Sequence, residues 1–264
     1  MIAHDRGVKE VQESGARGRC LTPDEGVLFV CGTPIGNLED ITLRALRVLK
    51  EVDLIAAEDT RRTLRLLNHY GISKPLTSYH EHNKEKSGEA LISKLKKGYK
   101  VALVTDAGMP GISDPGQDLI RRAREAGIQI EVVPGPSAVS AALALSGMTF
   151  DTFTFVGFLP RKRSERVKVL ERLRDEGRPV VAYEAPHRVV GTLRDVMTVY
   201  GEDVLVTLAR ELTKTHEECL VMPVLTLVRI LEARDKPRGE ITLIIGKGII
   251  GQSATEKPPV TEKG

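Results

Sequence analysis

Acidic residues stand directly behind several of the most apolar stretches of this 264-residue chain. The densest case is Val101-Ala-Leu-Val-Thr-Asp-Ala-Gly-Met-Pro-Gly-Ile-Ser-Asp-Pro-Gly116. Its first five residues read as a buried strand that runs into Asp106. The next ten positions hold three glycines and two prolines. Glycine lets backbone approach a ligand closely and take positive φ, while proline fixes φ. An ordinary connection in an α/β unit needs only about two to six residues, so this longer, stiffened loop reads as one built to hold a shape. Ligands of open α/β sheets bind outside the carboxyl ends of the strands, where Asp106 is placed.

Five more segments share that placement. Gly32-Thr-Pro-Ile-Gly-Asn37 resembles a phosphate-type turn but lacks the Lys-Ser/Thr of a P-loop and the third glycine of G-x-G-x-x-G. Val133-Pro-Gly-Pro-Ser-Ala138 opens a small-residue helix whose first N–H groups are free to meet a polar ligand edge. Glu58-Asp59-Thr60-Arg61-Arg62 and Tyr183-Glu-Ala-Pro-His-Arg188 each put carboxylates and cations at a strand end. The helix dipole accounts for acids in a first turn but not for Arg61, His187 or Arg188. Ala209-Arg-Glu-Leu-Thr-Lys214 is a charged strand end of the second half.

The elements that must position these loops alternate. Strands are predicted over 27–32, 54–57, 76–79, 101–105, 128–133, 153–157, 179–184, 204–209 and 241–245. Helices are predicted over 38–52 (capped by Asn37), 60–70 (capped by Thr60), 87–97, 117–125, 138–145, 164–175, 187–200 and 224–233. This reads as an α/β chain of two α/β domains, 27–147 and 148–248, with sheets covered on both faces. Residues 1–26 read as a mobile leader without a signal-peptide core, and 249–264, with Pro258-Pro259, as a frayed tail.

Composition bounds the function. The net charge is +3, so nucleic-acid affinity must come from local patches. Residues 161–178 supply one: eight cations, beginning Arg161-Lys162-Arg163, against four acids. With five Phe, five Tyr and no Trp, an aromatic platform for single strands is not expected. Cys20, Cys31 and Cys219 are few and far apart, giving neither a zinc spacing nor a disulfide framework, and a reducing cytoplasm is the simplest compartment. No apolar run approaches a membrane span. No metal constellation is seen.

Taken together, the segments T-P-I-G-N (33–37), A-A-E-D-T-R (56–61), H-E-H-N (80–83), L-V-T-D-A-G-M-P-G-I-S-D-P-G (103–116), P-G-P-S-A (134–138), G-F-L-P (157–160), Y-E-A-P-H-R (183–188), A-R-E-L-T-K-T-H-E-E (209–218) and R-G-E (238–240) resemble the tetrapyrrole-methylase superfamily. The resemblance implies two α/β domains with S-adenosylmethionine in the cleft between them. Met109 stands where the motif would hold Thr or another small residue.

The segments at 58–61, 183–188 and 209–214 are similar to the ribosomal RNA branch. That branch implies 2′-O-methylation of a cytidine in the decoding region of 16S ribosomal RNA, in the small ribosomal subunit, by a homodimer. The alternative in the same superfamily is a tetrapyrrole carbon methyltransferase; a third class is a donor- or RNA-binding protein without catalysis. The resemblance implies donor contacts at Pro34, Ile35, Gly36, Asp106, Gly108, Met109, Ser137, Ala138, Tyr183 and Ala209. It leaves Glu58, Glu184, His187 and Lys214 open as the base, and puts Arg61, Arg161, Lys162, Arg163, Arg188 and Arg210 toward RNA.

Overall fold

Two sheets, one from each half of the chain, meet across a shared apolar cluster in the computed structural model, which describes residues 26–149, 151–234, 237–246 and 249–250. The expected leader lies outside these residues apart from Gly26, and so does the tail from 251 onward.

The first sheet is wholly parallel. It holds β1 (Val27–Cys31), β2 (Leu54–Ala57), β3 (Leu76–Ser78), β4 (Lys100–Val104) and β5 (Gln129–Val133) in the order β3-β2-β4-β1-β5. Its inner strands β2, β4 and β1 are apolar apart from Lys100 because both faces are covered, while the edge strands β3 (Leu-Thr-Ser) and β5 (Gln-Ile-Glu-Val-Val) carry polar residues and are partly exposed. Leu54, Ala56, Val101 and Leu103 point to one face, against α3 (Lys84–Leu95) and α4 (Gln117–Glu125). Ile55, Ala57, Ala102 and Val104 point to the other, against α1 (Leu43–Glu51) and α2 (Thr60–His69). The period of two in a strand makes that division from neighbouring residues.

The second sheet runs β10-β9-β11-β8-β7, from β7 (Thr154–Phe158), β8 (Val180–Glu184), β9 (Leu205–Arg210), β10 (Glu218–Pro223) and β11 (Ile241–Ile245). Only β7 and β8 pair in parallel, and the other three pairings are antiparallel. The helices α6 (Arg163–Glu176), α7 (Val189–Tyr200) and α8 (Val224–Ala233) share one core with a single face of this sheet. The opposite face, through Val181, Ala209 and Ile244, meets Val139 and Ala142 of α5 (Ala138–Leu145), together with Ile35. The two halves are joined there.

The predicted elements shift in five places. The helix expected over 38–52 is a short 3-10 turn at Leu38–Asp40 followed by α1. Asn37 Oδ1 accepts from Glu39 N in that turn, and Thr42 caps α1 by accepting from Ala45 N at 3.0 Å. Asp59, rather than Thr60, caps α2, and α3 begins at Lys84 rather than at 87. β10 falls between the predicted strand over 204–209 and the predicted helix over 224–233, where no element is predicted. The expected tail is also strand at its start: Ile249–Ile250 (β12) pairs with Met148–Thr149 (β6) at the junction of the halves.

One polar brace organises the second half. Arg166, counted above among the exposed cations, is 7% exposed. Its Nη2 lies 2.6 Å and its Nε 2.8 Å from Asp195 Oδ2, and Nη1 donates to the carbonyls of Pro160 and Arg161. Arg163 Nε reaches Asp195 Oδ1 at 2.8 Å. The pair ties α6 to α7 and fixes the chain leaving β7. Removing one member of a buried pair strands the other charge. Asp195→Ala is therefore expected to cost about 3–5 kcal/mol in urea unfolding, and Arg166→Met with Asp195→Leu to regain most of it. A single-variant loss under about 1 kcal/mol, the range of a surface pair, would remove the bracing role.

Candidate active site

The site forms at the carboxyl ends of the parallel strands, where the order reverses around β4 and β1. Gly32 N donates to Val133 O at 3.0 Å, and Thr33 and Gly108 exchange backbone bonds of 2.9 and 3.1 Å. Thr33 Oγ1 donates to Thr105 O at 3.0 Å. A Cβ on Gly135 would stand 2.7 Å from Gly32 Cα, so the loops after β1 and β5 touch backbone to backbone. No side chain fits between them, which accounts for glycine at both positions. The result is one continuous backbone surface built from the loops at 32–37, 105–116 and 134–138.

That surface forms one wall of a cleft of about 440 Å³. Ile35, Glu58, Arg62, Asp106, Gly108, Met109, Asp114, Ser137 and Ala138 line it from the first half. Phe158, Tyr183, Glu184, Ala209, Leu212 and the run 239–242 line it from the second. The volume is that of a small-molecule site. Phe155 stands edge-on to the Tyr183 ring at 5.2 Å, and Phe158 is tilted against it at 5.6 Å.

The charge is one-sided. Glu58, Asp106, Asp114, Glu184 and Glu240 face a single lining cation, Arg62. Asp106 Oδ1 accepts from Asp59 N at 3.1 Å, and Arg62 Nη1 lies 3.4 Å from its Oδ2. Glu58 Oε2 accepts from Asp106 N at 3.2 Å. Burial raises both carboxyls above their ordinary values, more than those partners lower them. Asp114 goes furthest, to about 7, through burial and then through the charges of Glu58, Asp106 and Glu240. Glu184 is buried and fully engaged: Ala185 N and Thr192 Oγ1 donate to it, and Arg188 Nε lies 3.2 Å away. Such a cleft suits a cationic organic ligand with apolar parts, and it offers a carboxylate able to take a proton near neutral pH.

Ten of the residues singled out from the sequence line this cleft: Ile35, Glu58, Asp106, Gly108, Met109, Ser137, Ala138, Tyr183, Glu184 and Ala209. Others do not. Pro34 lies outside the lining, and Gly36 packs on Lys214 and Thr213 instead. His187 is exposed away from it. Lys214 Nζ sits 2.9 Å from Glu211 and 3.2 Å from Glu240. Burial works to lower its pKa, but those carboxylates prevail and raise it, so its ion pairs favour the charged form.

The cations divide similarly. Arg61 folds back on Asp59 at 2.9 Å, and it is Arg62 that reaches the cleft. Arg188 is an internal brace, donating to Leu159 O at 2.8 Å and Pro160 O at 3.0 Å. Arg210 pairs with Glu218 at 3.1 Å on the other side of the sheet, beside α8. Arg161 and Lys162 are exposed at the start of α6, and Arg163 is held by Asp195. Sequence reasoning passed over Arg62, Asp114 and Glu240. Asp114 was in view as the second acid of the stiffened loop, and Glu240 as the acid of R-G-E.

Comparison with known proteins places this geometry. Residues 27–227 match the family model described as Tetrapyrrole (Corrin/Porphyrin) Methylases. The chain is 50% identical over 220 residues to ribosomal RNA small subunit methyltransferase I of Thermotoga maritima, covering 83% of this chain and 98% of that protein. Its counterpart of the same name in Haemophilus influenzae is 46% identical over 226 residues, covering 85% and 80%. Among solved structures, diphthine synthase aligns with a TM-score of 0.64 at 16% identity, covering 84% of this chain and 90% of that one. Uroporphyrin-III-C-methyltransferase from Thermus thermophilus aligns at 0.57 and 21%, covering 84% and 94%. These two likenesses speak to the fold.

The electrostatics make a prediction of their own. A carboxyl whose pKa is raised on folding binds more protons folded than unfolded, so it lowers stability as pH climbs from the unfolded value to about 7. Above that it is a charge facing three others. Asp114→Asn removes the charge, so in ligand-free protein it should raise Tm more at about pH 8 than at about pH 5, where only part of the penalty has accrued. Equal effects at both pH values, measured by calorimetry, would contradict the assigned environment.

Proposed function

The chain belongs to the tetrapyrrole methylase family, and from that premise we propose that it transfers a methyl group from S-adenosylmethionine to ribosomal RNA of the small subunit, at the ribose 2′-oxygen of a cytidine in the decoding region. The observation that carries the reading is the near-half identity, over most of both chains, to proteins named for small-subunit ribosomal RNA methylation. The cleft agrees with it in two respects.

The first is fit to the donor. S-adenosylmethionine supplies a methyl group activated by a sulfonium charge. The acidic lining favours a cation, and Ile35, Met109 and Leu212 give apolar wall for the uncharged parts. Backbone from 33–37, 106–109 and 134–138 offers polar groups at close range, because Gly32 and Gly135 keep side chains out. In an enclosed cleft the protein's main contribution is alignment of the reacting atoms, worth roughly 7–11 kcal/mol in well-oriented systems.

The second is the acceptor. A polycarboxylate macrocycle would bring further negative charge against Glu58, Asp106 and Asp114, with Arg62 the one cation in the lining, which counts against the tetrapyrrole alternative. A ribose is neutral, and its flanking phosphates need cations at the rim rather than inside. Arg161, Lys168 and Arg178 are exposed and carry no ion-pair partner among the described residues; Arg161 lies three residues past the cleft residue Phe158. An unpaired cytidine splayed out of structured RNA would reach between the halves.

Labelled methyl donor with assembled small subunits, followed by nuclease mapping, tests the reading. Label is expected in one ribose-methylated cytidine, and competent particles that take up no label would refute it. For the rim, Arg161→Ala with Lys168→Ala should flatten the slope of log K against log salt by roughly 1.4–1.8 for two lost phosphate contacts. An unchanged slope in filter binding would move RNA contact elsewhere.

A further inference from the structure

We propose that Asp114 is the proton acceptor of the methyl transfer; the proposal rests on the methyltransferase reading above. As the acceptor hydroxyl attacks, its O–H bond breaks and the proton passes to Asp114, while the oxygen's electron pair forms the O–CH₃ bond. The pair of the broken S–CH₃ bond stays on sulfur. One positive and one negative charge become a neutral thioether and a neutral acid, and the acid later loses its proton to water. No further reactant is needed.

The argument begins with what the other candidates already hold. Glu58 accepts from Asp106 N, Asp106 accepts from Asp59 N and meets Arg62, and Glu184 has three partners. Glu240 is paired to Lys214, whose ion pairs favour its charged form. Tyr183 is pushed up by burial and by Asp114 and Glu240, so its phenol keeps its hydrogen. Asp114 is the lining carboxylate with neither a hydrogen bond nor an ion pair among the described residues, so its oxygens are available to a substrate hydroxyl.

Backbone geometry supports the same residue. Ser113, immediately before it, has φ +63°, a conformation L-residues avoid, within a loop that also bends at Gly111 and Gly116. Such conformations persist where the surroundings over-determine them, commonly at functional sites. Gly157 of β7 lies against the Ser113 side chain and leaves no room for a Cβ: one there would stand 2.8 Å from Ser113 Oγ. The loop that presents Asp114 thus touches the second half at Gly157. The groups facing Asp114 are Glu58 from the end of β2, Asp106 from the end of β4, Tyr183 of β8 and Glu240 before β11, with Arg62 of α2 acting on the first two. Burial, and after it the charges of Glu58, Asp106 and Glu240, hold its affinity for protons near neutrality, where a general base works best.

The test uses the full-length protein with small-subunit particles. Under single turnover, the wild-type rate should climb from about pH 5 and level off above neutrality, and Asp114→Asn should lose about 10²–10⁴-fold and the acid limb with it. Calorimetry should show S-adenosylmethionine bound by the variant within about threefold of wild type, the split expected of a group that acts in the transition state. In ligand-free wild type an aspartate carboxyl ¹³C resonance should titrate near neutrality and be missing from the variant; this readout holds even if Asp114→Asn transfers nothing.

Transfer by Asp114→Asn at close to the wild-type rate would overturn the proposal. So would donor affinity falling in step with the rate, or the absence of any such resonance in wild type. Wild-type protein that binds donor yet leaves the RNA unmethylated would instead bring down the parent reading, and this one with it.

Discussion

Everything at the site depends on two glycines touching. Gly32 and Gly135 bring the turns after β1 and β5 within backbone contact, and the Thr33–Gly108 bonds add the turn after β4. Three separate connections thereby act as one rigid wall. The second half then needs only to lay a flat apolar face, through Val181, Ala209 and Ile244, on the small residues of α5 to close the other side. The joint is apolar throughout, mixing the alanines of α5 with larger side chains such as Ile35, Met148 and Leu212. The wall's rigidity matters for a reaction whose main requirement is alignment.

Charge is the second organising element. In the first half the ends of β2 and β4 contribute Glu58, Asp106 and Asp114, and the second half adds Glu184 and Glu240. The acids are handled differently. Glu184 is neutralised internally by Arg188 and Thr192, and Asp106 by Arg62 and a backbone N–H. Asp114 is left to feel the sum of its neighbours. A carboxylate surrounded by its own kind costs stability, and natural sites carry such costs where chemistry uses them.

Much of this was readable before any coordinates. The inner strands of the first sheet announced themselves because strands buried on both faces are apolar runs, and the glycine- and proline-rich turns marked their own ends. The second half was harder. Its helices and strands alternate just as regularly, yet three of its four pairings are antiparallel, and nothing in the alternation distinguishes β8 and β11 as antiparallel partners. β10 is half-buried throughout and closes on Pro223, so it lacks the apolar signal of its partner β9. Cations were read as a group, whereas tertiary contacts sort them individually. Arg166 meets Asp195 across 29 positions, and Arg188 turns inward to carbonyls beside β7. The distinction between Asp106 and Asp114 is likewise one of neighbours rather than residue type.

The order of the second sheet carries a consequence for how the molecule is made. β11, near the end of the described chain, lies in the middle of that sheet, between β9 and β8. Until it is synthesised, those two strands have no partner on their facing sides, and the core between them and α7 cannot seal. β12 then returns to β6 at the junction. Biogenesis is therefore committed late. The amino-terminal half has all of its strands early, while the carboxyl-terminal half must wait with open edges for its keystone, an interval in which unpaired strands invite wrong partners.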